Sequence, residues 1–207
     1  MLFRLGLVTT LYLIPAVLAA TVLHELAHGV VARWFGDPTA QRAGRLTLNP
    51  IPSIDPVGTL ALLLVGFGWA RPVPVDPRYF RHPYRDMVLV ALAGPIMNGA
   101  WAAVLALAAA VAARLVVNPN SSPIETALQY GAVISISLGL FNLLPIPPLD
   151  GSHFISGLWP RAYVWLSRFG FVLLILLVVS GTVGNWLSGI VIGTANAFLG
   201  VAFHLVG

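Results

Sequence analysis

Long runs of apolar residues, separated by short clusters rich in Arg, Pro and Gly, dominate the pattern along this chain of 207 residues. A transmembrane helix needs about 20 consecutive apolar residues to cross a bilayer. Five segments are long enough, and they run from Leu5 to Phe35, Asp86 to Ala113, Ile124 to Leu144, Tyr163 to Ser180 and Asn185 to Val206. The pattern therefore predicts an all-α membrane protein, a multi-pass helical bundle with five to six transmembrane segments.

A sixth apolar stretch, from Val57 to Ala70, is short, and clusters of arginine lie on both sides of it. Loops rich in arginine stay in the cytosol in most membrane proteins. A full crossing would place one cluster outside, so we expect a short re-entrant or protein-buried element between the first two long helices. Alternation along the chain then predicts an external N-terminus, a cytosolic C-terminus, and a first helix whose second half lies toward the cytosol.

Prolines at alternate positions between Ala70 and Pro77 predict an extended segment, because the residue before a proline avoids the helical conformation. Prolines lack an N–H group, so such a segment suits only the edge of a sheet. An extended edge can bind an unwound peptide by strand addition, and Val73 and Val75 would then contact the substrate. A rigid connector at the level of the lipid headgroups explains the same composition.

Hydrophobic residues make up 58% of the chain and charged residues 9%. Charged residues are about a quarter of an ordinary soluble domain, so the chain is predicted to be an integral membrane protein. No polar stretch is long enough for a second domain, which predicts a single domain over residues 1–207. The basic residues form no basic face on a polar element, so we expect no nucleic-acid partner. Without Cys, any metal ligand must be His, Asp, Glu or Asn.

The first apolar segment contains His24-Glu25-Leu26-Ala27-His28. Residues four apart share one face of a helix, so His24 and His28 can present two imidazole nitrogens to one metal ion. Glu25 follows the first histidine and can reach a metal-bound water as a general base. Packing of two histidines in a helical core is the alternative explanation, but ionisable groups at bilayer depth are costly unless they are paired, metal-bound or facing water.

Catalytic zinc sites usually have three protein ligands, so a carboxylate is required in addition to the two histidines. Asp150 follows a run with three prolines in four positions, which breaks the chain at membrane depth. Broken backbone persists there only where it is buried in protein or lines a cavity. We therefore predict Asp150 as the third ligand. His153 is a competing ligand, and capping of a short helix that begins at Gly151 is an alternative role for Asp150.

Two asparagines lie in otherwise apolar surroundings, Asn98 after Gly94 and Pro95, and Asn142 just before the proline-rich run. Pro95 predicts either a helix kink or a helix start near this point. An amide such as that of Asn98 can orient the scissile carbonyl or stabilise its oxyanion. A structural hydrogen bond between helices is the alternative for both asparagines.

Three segments, in this order, resemble the motifs of the site-2 protease family of intramembrane zinc metalloproteases. They are His24 to Gly29, Ala93 to Asn98, and Asn142 to Gly151. Two further segments, Gly44 to Pro50 and Gly68 to Val75, resemble the compact bacterial and archaeal branch. A PDZ-like insertion and a regulatory domain, which larger members carry, are not recognisable in the sequence.

The resemblance implies one Zn²⁺ ion per chain, held by His24, His28 and Asp150, with Glu25 as the general base. It also implies that two asparagines are substrate-pocket residues, namely Asn98 and Asn142. The expected reaction is hydrolysis of peptide bonds in or near transmembrane segments of protein or peptide substrates, toward the cytosolic side of the cell membrane of a prokaryote. A catalytically inactive metal-binding membrane scaffold and a metal or proton transporter are the alternatives.

Overall fold

The computed structural model describes residues 7–65, 68–115 and 123–206, and in these residues all regular structure is helical. The helices in this part of the chain are α1 (Leu7–Trp34), α2 (Thr39–Arg42), α3 (Pro56–Val65), α4 (Pro83–Leu115), α5 (Pro123–Asn142), α6 (Ser152–Leu158), α7 (Pro160–Val179) and α8 (Thr182–Val206). Short 3-10 turns lie at Ile51–Ser53 and Pro77–Tyr79. The all-α class predicted from the apolar runs is confirmed.

Within the described residues, five helices are long and apolar enough to cross a membrane, namely α1 from Ile14 onward, α4, α5, α7 and α8. They coincide with the five apolar runs. Helix α3 has ten residues, which corresponds to a rise of about 15 Å, half the thickness of the hydrocarbon core. The stretch from Val57 therefore begins as a short helix, and residues 68–76 continue without regular structure.

Helix α4 lies at the centre of the bundle and packs against α1, α5 and α8, while α5 also packs against α1 and α8. The buried positions of its second half are alanines, at Ala102, Ala106, Ala109 and Ala110. Small residues allow close approach of helices, which is the main source of packing energy where lipid surrounds the bundle. Helices α1, α4 and α5 thus form the compact part of the protein.

Pro95 lies inside α4, which continues unbroken from Pro83 to Leu115. Of the two alternatives for Pro95, a kink or a helix start, the helix start is therefore excluded. A proline in a helix removes one hydrogen bond, here the bond that the carbonyl of Ala91 would accept. Neighbouring helices in a membrane bundle compensate such a loss, so the helix continues through the proline.

Helix α7 is peripheral, and its contacts are mainly with α6 and α8. One position approaches the connector between α5 and α6 closely: a Cβ atom added to Gly170 would lie 2.6 Å from the carbonyl oxygen of Pro147. Only a glycine at this position allows the helix to pack against the connector backbone. Helix α7 therefore covers the proline-rich segment that leads to Asp150.

A candidate metal centre between α1 and the connector after α5

Three side chains from distant parts of the sequence meet inside the bundle. The Nε2 atoms of His24 and His28 are 3.0 Å apart. The Oδ2 atom of Asp150 lies 3.1 Å from Nε2 of His24 and 3.3 Å from Nε2 of His28. Both histidines are buried, with 4% and 8% of their surfaces exposed. The geometry thus brings together the three residues that the sequence suggested as ligands.

The three donor atoms fit a tetrahedral zinc ion. Ligand atoms bonded to zinc at about 2.0–2.1 Å, with tetrahedral angles between them, lie about 3.3–3.4 Å from one another. The observed separations of 3.0, 3.1 and 3.3 Å are close to this value. Oδ2 of Asp150 is buried and accepts no hydrogen bond from any residue that the structure describes. Three electron-rich atoms in such proximity require a positive charge between them.

The charge states of the neighbouring groups agree with this requirement. Burial by itself raises the pKa of the Asp150 carboxyl, but positive charge on the adjacent rings of His24 and His28 outweighs burial and lowers the pKa to about 2. The group is therefore a carboxylate at neutral pH. Burial lowers the pKa of His153, three residues later, below its ordinary value. That imidazole is consequently neutral at the same pH.

Helix α4 holds the histidine rings from behind. Nδ1 of His28 donates to the carbonyl oxygen of Val90 at 2.7 Å. A carbonyl oxygen only accepts, so the ring proton of His28 is on Nδ1 and its Nε2 offers a lone pair. The rings contact the backbone of α4 at Gly94, where an added Cβ would be 2.5 Å from Cε1 of His24 and 2.5 Å from Nε2 of His28. Glycine is thus required for α4 to approach both rings.

The connector after α5 presents Asp150 in a compact turn. The N–H group of Gly151 donates to the carbonyl oxygen of Asn142 at 2.7 Å, which closes the proline-rich segment on itself. A side chain at Gly151 would overlap the backbone of Leu143 and Leu144. Gly151 is also the N-cap residue of α6, which has no side-chain cap. The alternative role of Asp150 as a helix cap is therefore not realised, and its carboxylate faces the histidines instead.

Glu25, on the turn that carries the two histidines, accepts a hydrogen bond from the backbone N–H of Val73 through Oε2 at 2.7 Å. This contact joins α1 to the segment over residues 68–76. Val73 is buried, with 8% of its surface exposed. The carboxylate predicted as a general base therefore lies beside the segment that was predicted to bind substrate.

Side chains from two other regions fix the backbone of this segment. Arg45 donates to the carbonyl oxygen of Arg71 at 2.7 Å and to that of Pro72 at 3.2 Å. Asp37 is fully buried, and its Oδ2 atom accepts a hydrogen bond from the backbone N–H of Asp76 at 2.8 Å. Its Oδ1 atom accepts one from the backbone N–H of Thr39. The segment is thus held at both ends by hydrogen bonds, although it belongs to no sheet.

A cavity of about 1190 Å³ opens over these groups. Its wall includes His24, Glu25, His28 and Asp150, and it continues along apolar side chains of α5, α7 and α8. Of the residues predicted to contact substrate, three line this cavity, namely Val73, Val75 and Asn142. The ring of Trp69 meets that of Phe171 edge to face at 5.7 Å between centroids, so this contact connects the segment over residues 68–76 with α7.

Asn98 occupies a different position. It is fully buried, its amide contacts Nδ1 of His24 at 3.2 Å, and it is not among the residues that line the cavity. Asn142 donates to the carbonyl oxygen of Leu138 at 2.9 Å. Among the other histidines, His153 lines the cavity but lies outside the group of three converging donors. His82 and His204 are exposed at the start of α4 and in the last turn of α8.

Several residues that shape the site were not predicted from the sequence. Arg45 was interpreted only as a marker of topology, and Asp37 was given no role. Gly94 was noted as part of a motif, but nothing in the sequence indicates that it lies against the histidine rings. The carbonyl of Val90 carries no sequence signal at all. The one available clue was the acidic Asp37 shortly after the end of the first transmembrane helix.

Comparison with known proteins gives a consistent result. A family model described as peptidase family M50 matches residues 116–177. YwhC of Bacillus subtilis (strain 168), named as a candidate zinc metalloprotease, is 41% identical over 177 residues, which cover 82% of this chain and 80% of the relative. Rip2 of Mycobacterium tuberculosis (strain ATCC 25618 / H37Rv), named in the same way, is 31% identical over 183 residues, which cover 84% and 69%. No solved structure matches the chain at a significant level.

Proposed function

Because this chain belongs to peptidase family M50, the site-2 protease family of zinc metalloproteases, we propose that it cleaves peptide bonds in or near transmembrane segments of other proteins. The observation that carries the proposal is the convergence of Nε2 of His24, Nε2 of His28 and Oδ2 of Asp150 at 3.0–3.3 Å. The two histidines belong to a helix that is apolar enough to cross a membrane.

His24, His28 and Asp150 would hold one zinc ion and leave its fourth position free for the reaction. When bound, zinc supplies Lewis-acid polarisation of the scissile carbonyl and of the attacking water. The low pKa of Asp150, about 2, favours this role because the carboxylate is available without loss of a proton at neutral pH. His28 gives its Nδ1 proton to the carbonyl oxygen of Val90 and thereby directs Nε2 toward the position of the metal ion.

Glu25 acts as the general base. It lies next to His24 on the cavity wall, where it can remove a proton from the attacking water and later deliver that proton to the leaving amine. Its Oε2 atom accepts from the N–H of Val73, which orients the carboxylate and leaves Oε1 for the proton transfer. A hydrogen bond of this kind fixes the base relative to the peptide-binding segment.

The segment over residues 68–76 binds the unwound substrate by strand addition. In an extended chain, the N–H and C=O groups of alternate residues point to the same edge. By this alternation Val73 and Val75 share the edge that faces Glu25, while the carbonyl of Pro72, held by Arg45, and the N–H of Asp76, held by Asp37, lie on the other edge. Glu25 already accepts from the N–H of Val73, so the substrate would pair with the N–H of Val75 and with the carbonyl groups of this edge. Asn142, on the cavity wall, completes the substrate pocket.

The substrate partner is a transmembrane protein or peptide, and no nucleic acid takes part. A helix in lipid keeps its peptide groups in internal hydrogen bonds, so the substrate must unwind locally before attack. Residues that weaken helices, such as glycine, favour that step. The positions of the arginines support an active site toward the cytosolic side of the cell membrane of a prokaryote.

Purified protein in detergent provides the test, with bound zinc and the cleavage of a panel of single-span peptides as the two readouts. We expect one zinc ion per chain in the wild type. Glu25→Gln should retain zinc and lose roughly 10²–10⁴-fold in turnover, because only the proton transfer is removed. Asp150→Ala and His24→Ala should lose both zinc and turnover.

A matched control is Glu125→Gln, which changes an acidic residue in the first turn of α5 and should alter neither readout. Wild-type protein that binds no zinc, or a Glu25→Gln variant that cleaves peptides at the wild-type rate, would contradict the proposed function. If client binding in cells persists in Glu25→Gln and no peptide is cleaved by the wild type, the protein is a scaffold.

A further inference from the structure

The amide of Asn98 lies where three helices meet. Its terminal atoms contact the carbonyl oxygen of Ala20 on α1 at 2.9 Å, Nδ1 of His24 at 3.2 Å, and the backbone nitrogen of Gly139 on α5 at 3.2 Å. A carbonyl oxygen can only accept a hydrogen bond, and a backbone N–H can only donate one. The amide nitrogen of Asn98 therefore faces Ala20, and its oxygen faces Gly139 and His24.

This orientation determines which nitrogen of His24 carries the ring proton. The amide oxygen has no hydrogen, so Nδ1 of His24 must be the donor, and in the neutral ring Nε2 is then the unprotonated nitrogen. That bare Nε2 atom is the one that lies 3.1 Å from Oδ2 of Asp150. We propose that Asn98 is a positioning residue for the metal centre, whose amide oxygen holds the Nδ1 proton of His24 and thereby presents Nε2 to the zinc ion.

The geometry of α4 explains why the side chain of Asn98 contacts His24 while the backbone carbonyl of Val90 contacts His28. Carbonyl groups in a helix point toward its C-terminus, whereas side chains lean toward its N-terminus. The carbonyl of Val90 and the side chain of Asn98 therefore converge from opposite directions on the level of Gly94, which lies four residues from each. Gly94 is also where the rings of His24 and His28 touch the backbone of α4.

Helix α5 secures Asn98 from the opposite side. Oγ of Ser135 donates to the backbone oxygen of Asn98 at 2.9 Å. A Cβ atom added to Gly139 would lie only 3.2 Å from Cβ of Asn98. The small residues on this face of α5 thus allow the amide to be enclosed. With every polar atom of its side chain paired, Asn98 has one orientation, and the His24 ring is held accordingly.

The burial of Asn98 separates this role from contact with substrate. The residue is 0% exposed and lies behind His24 rather than on the cavity wall. The inference rests on the proposed function only in taking zinc as the metal. Hydrogen bonds to the second nitrogen of a metal-binding histidine typically contribute 10- to 100-fold to metal affinity or activity.

The test is the zinc dissociation constant of purified protein in detergent, measured by competition with a chromophoric chelator. Asn98→Leu keeps a similar volume and removes the acceptor, so zinc binding should weaken by about 10- to 100-fold. Asn98→Asp retains an acceptor for Nδ1 of His24 and should bind zinc at least as tightly as the wild type. Asn196→Leu, which removes an exposed amide from α8, is the matched control and should leave the constant unchanged.

Two outcomes would overturn the inference. One is wild-type zinc affinity in Asn98→Leu, which would leave the orientation of His24 independent of the amide. The other is an equal loss of zinc affinity in Asn98→Asp and Asn98→Leu, which would show that an acceptor at position 98 does not matter. The Asn98→Asp variant provides this test even if Asn98→Leu is poorly folded. A wild-type protein without zinc affinity would instead contradict the proposed function itself, so the two failures are distinguishable.

Discussion

Gly94→Ala should abolish tight zinc binding while leaving α4, the helix that contains Gly94, intact. The added methyl group would lie 2.5 Å from Cε1 of His24, 2.7 Å from its Nδ1, and 2.5 Å from Nε2 of His28. Non-bonded carbon atoms prefer separations of about 3.5–4.0 Å, so each ring has to retreat by roughly 1 Å. The atom that moves on His28 is itself a predicted zinc ligand.

The size of this displacement determines the expected effect. Metal–ligand distances tolerate about 0.2 Å of error, which is far less than the shift that the methyl group enforces. A misplacement of about 1 Å at a reacting centre costs on the order of 10²-fold in rate. We therefore expect zinc affinity and kcat/KM for peptide cleavage each to fall by at least roughly 10²-fold. Alanine meanwhile favours the helix over glycine by about 0.8–1.0 kcal/mol, so the apoprotein should not lose helix content.

Gly99→Ala is the matched control, because Gly99 lies in the same helix and an added Cβ would meet nothing within 4 Å. It makes the same chemical change and brings the same gain in helix propensity. The assays are chelator competition for zinc, peptide cleavage in detergent, and circular dichroism for helix content. If Gly94→Ala binds zinc as tightly as Gly99→Ala does, the histidine rings do not lie against this glycine and the reasoning fails.

Two further changes test the supports of the site. Arg45→Met should lower kcat/KM for single-span peptides by about tenfold with zinc content unchanged, because two carbonyl oxygens of the segment proposed to bind substrate lose a charged donor. Arg42→Met is the control, and equal effects of both variants would exclude a specific role of Arg45. Gly170→Ala should weaken zinc binding by displacing the connector that carries Asp150, since the methyl group would lie 2.6 Å from the carbonyl oxygen of Pro147. Gly189→Ala, at an open position of α8, is the control and should leave zinc affinity unchanged. An unaltered zinc affinity in Gly170→Ala would show that the packing of α7 on the connector does not affect the metal site.

The amino-acid sequence predicted the five membrane-spanning helices closely, because each depends on the local density of apolar residues. The start of α4 at Pro83 differs by three residues from the predicted Asp86, since a polar first turn carries no hydropathy signal. The proximity of His24 and His28 was predictable for a similar reason, because residues four apart in one helix share a face whatever surrounds them. The position of Asp150 beside the two histidines was expected from the scarcity of acidic residues and from the prolines that precede it.

Contacts between helices could not be predicted in the same way. The amide of Asn98 reaches His24 across 74 positions of sequence, and its role depends on how closely α1 and α4 approach. The N–H of Val73 reaches Glu25 across 48 positions, with no sheet to indicate the pairing. The sequence shows that buried polar groups need partners, but several partners are chemically equivalent until the packing of the helices is known.

Each part of the site contains a glycine at a point where two chain segments pack closely together. Gly94 allows the histidine rings to pack against α4, and Gly151 allows the connector to fold against the end of α5. Gly170 allows the same connector to pack against α7. At Gly29, directly after the second histidine, an added Cβ would lie 2.5 Å from Cδ2 of Leu46 and 3.3 Å from Cγ1 of Val73. The candidate nitrogen ligands, the candidate oxygen ligand and the segment beside Glu25 are thus each positioned by close backbone approach. Since lipid offers no hydrophobic gain for helix association, close packing of this kind is what can hold three separate chain segments around one ion.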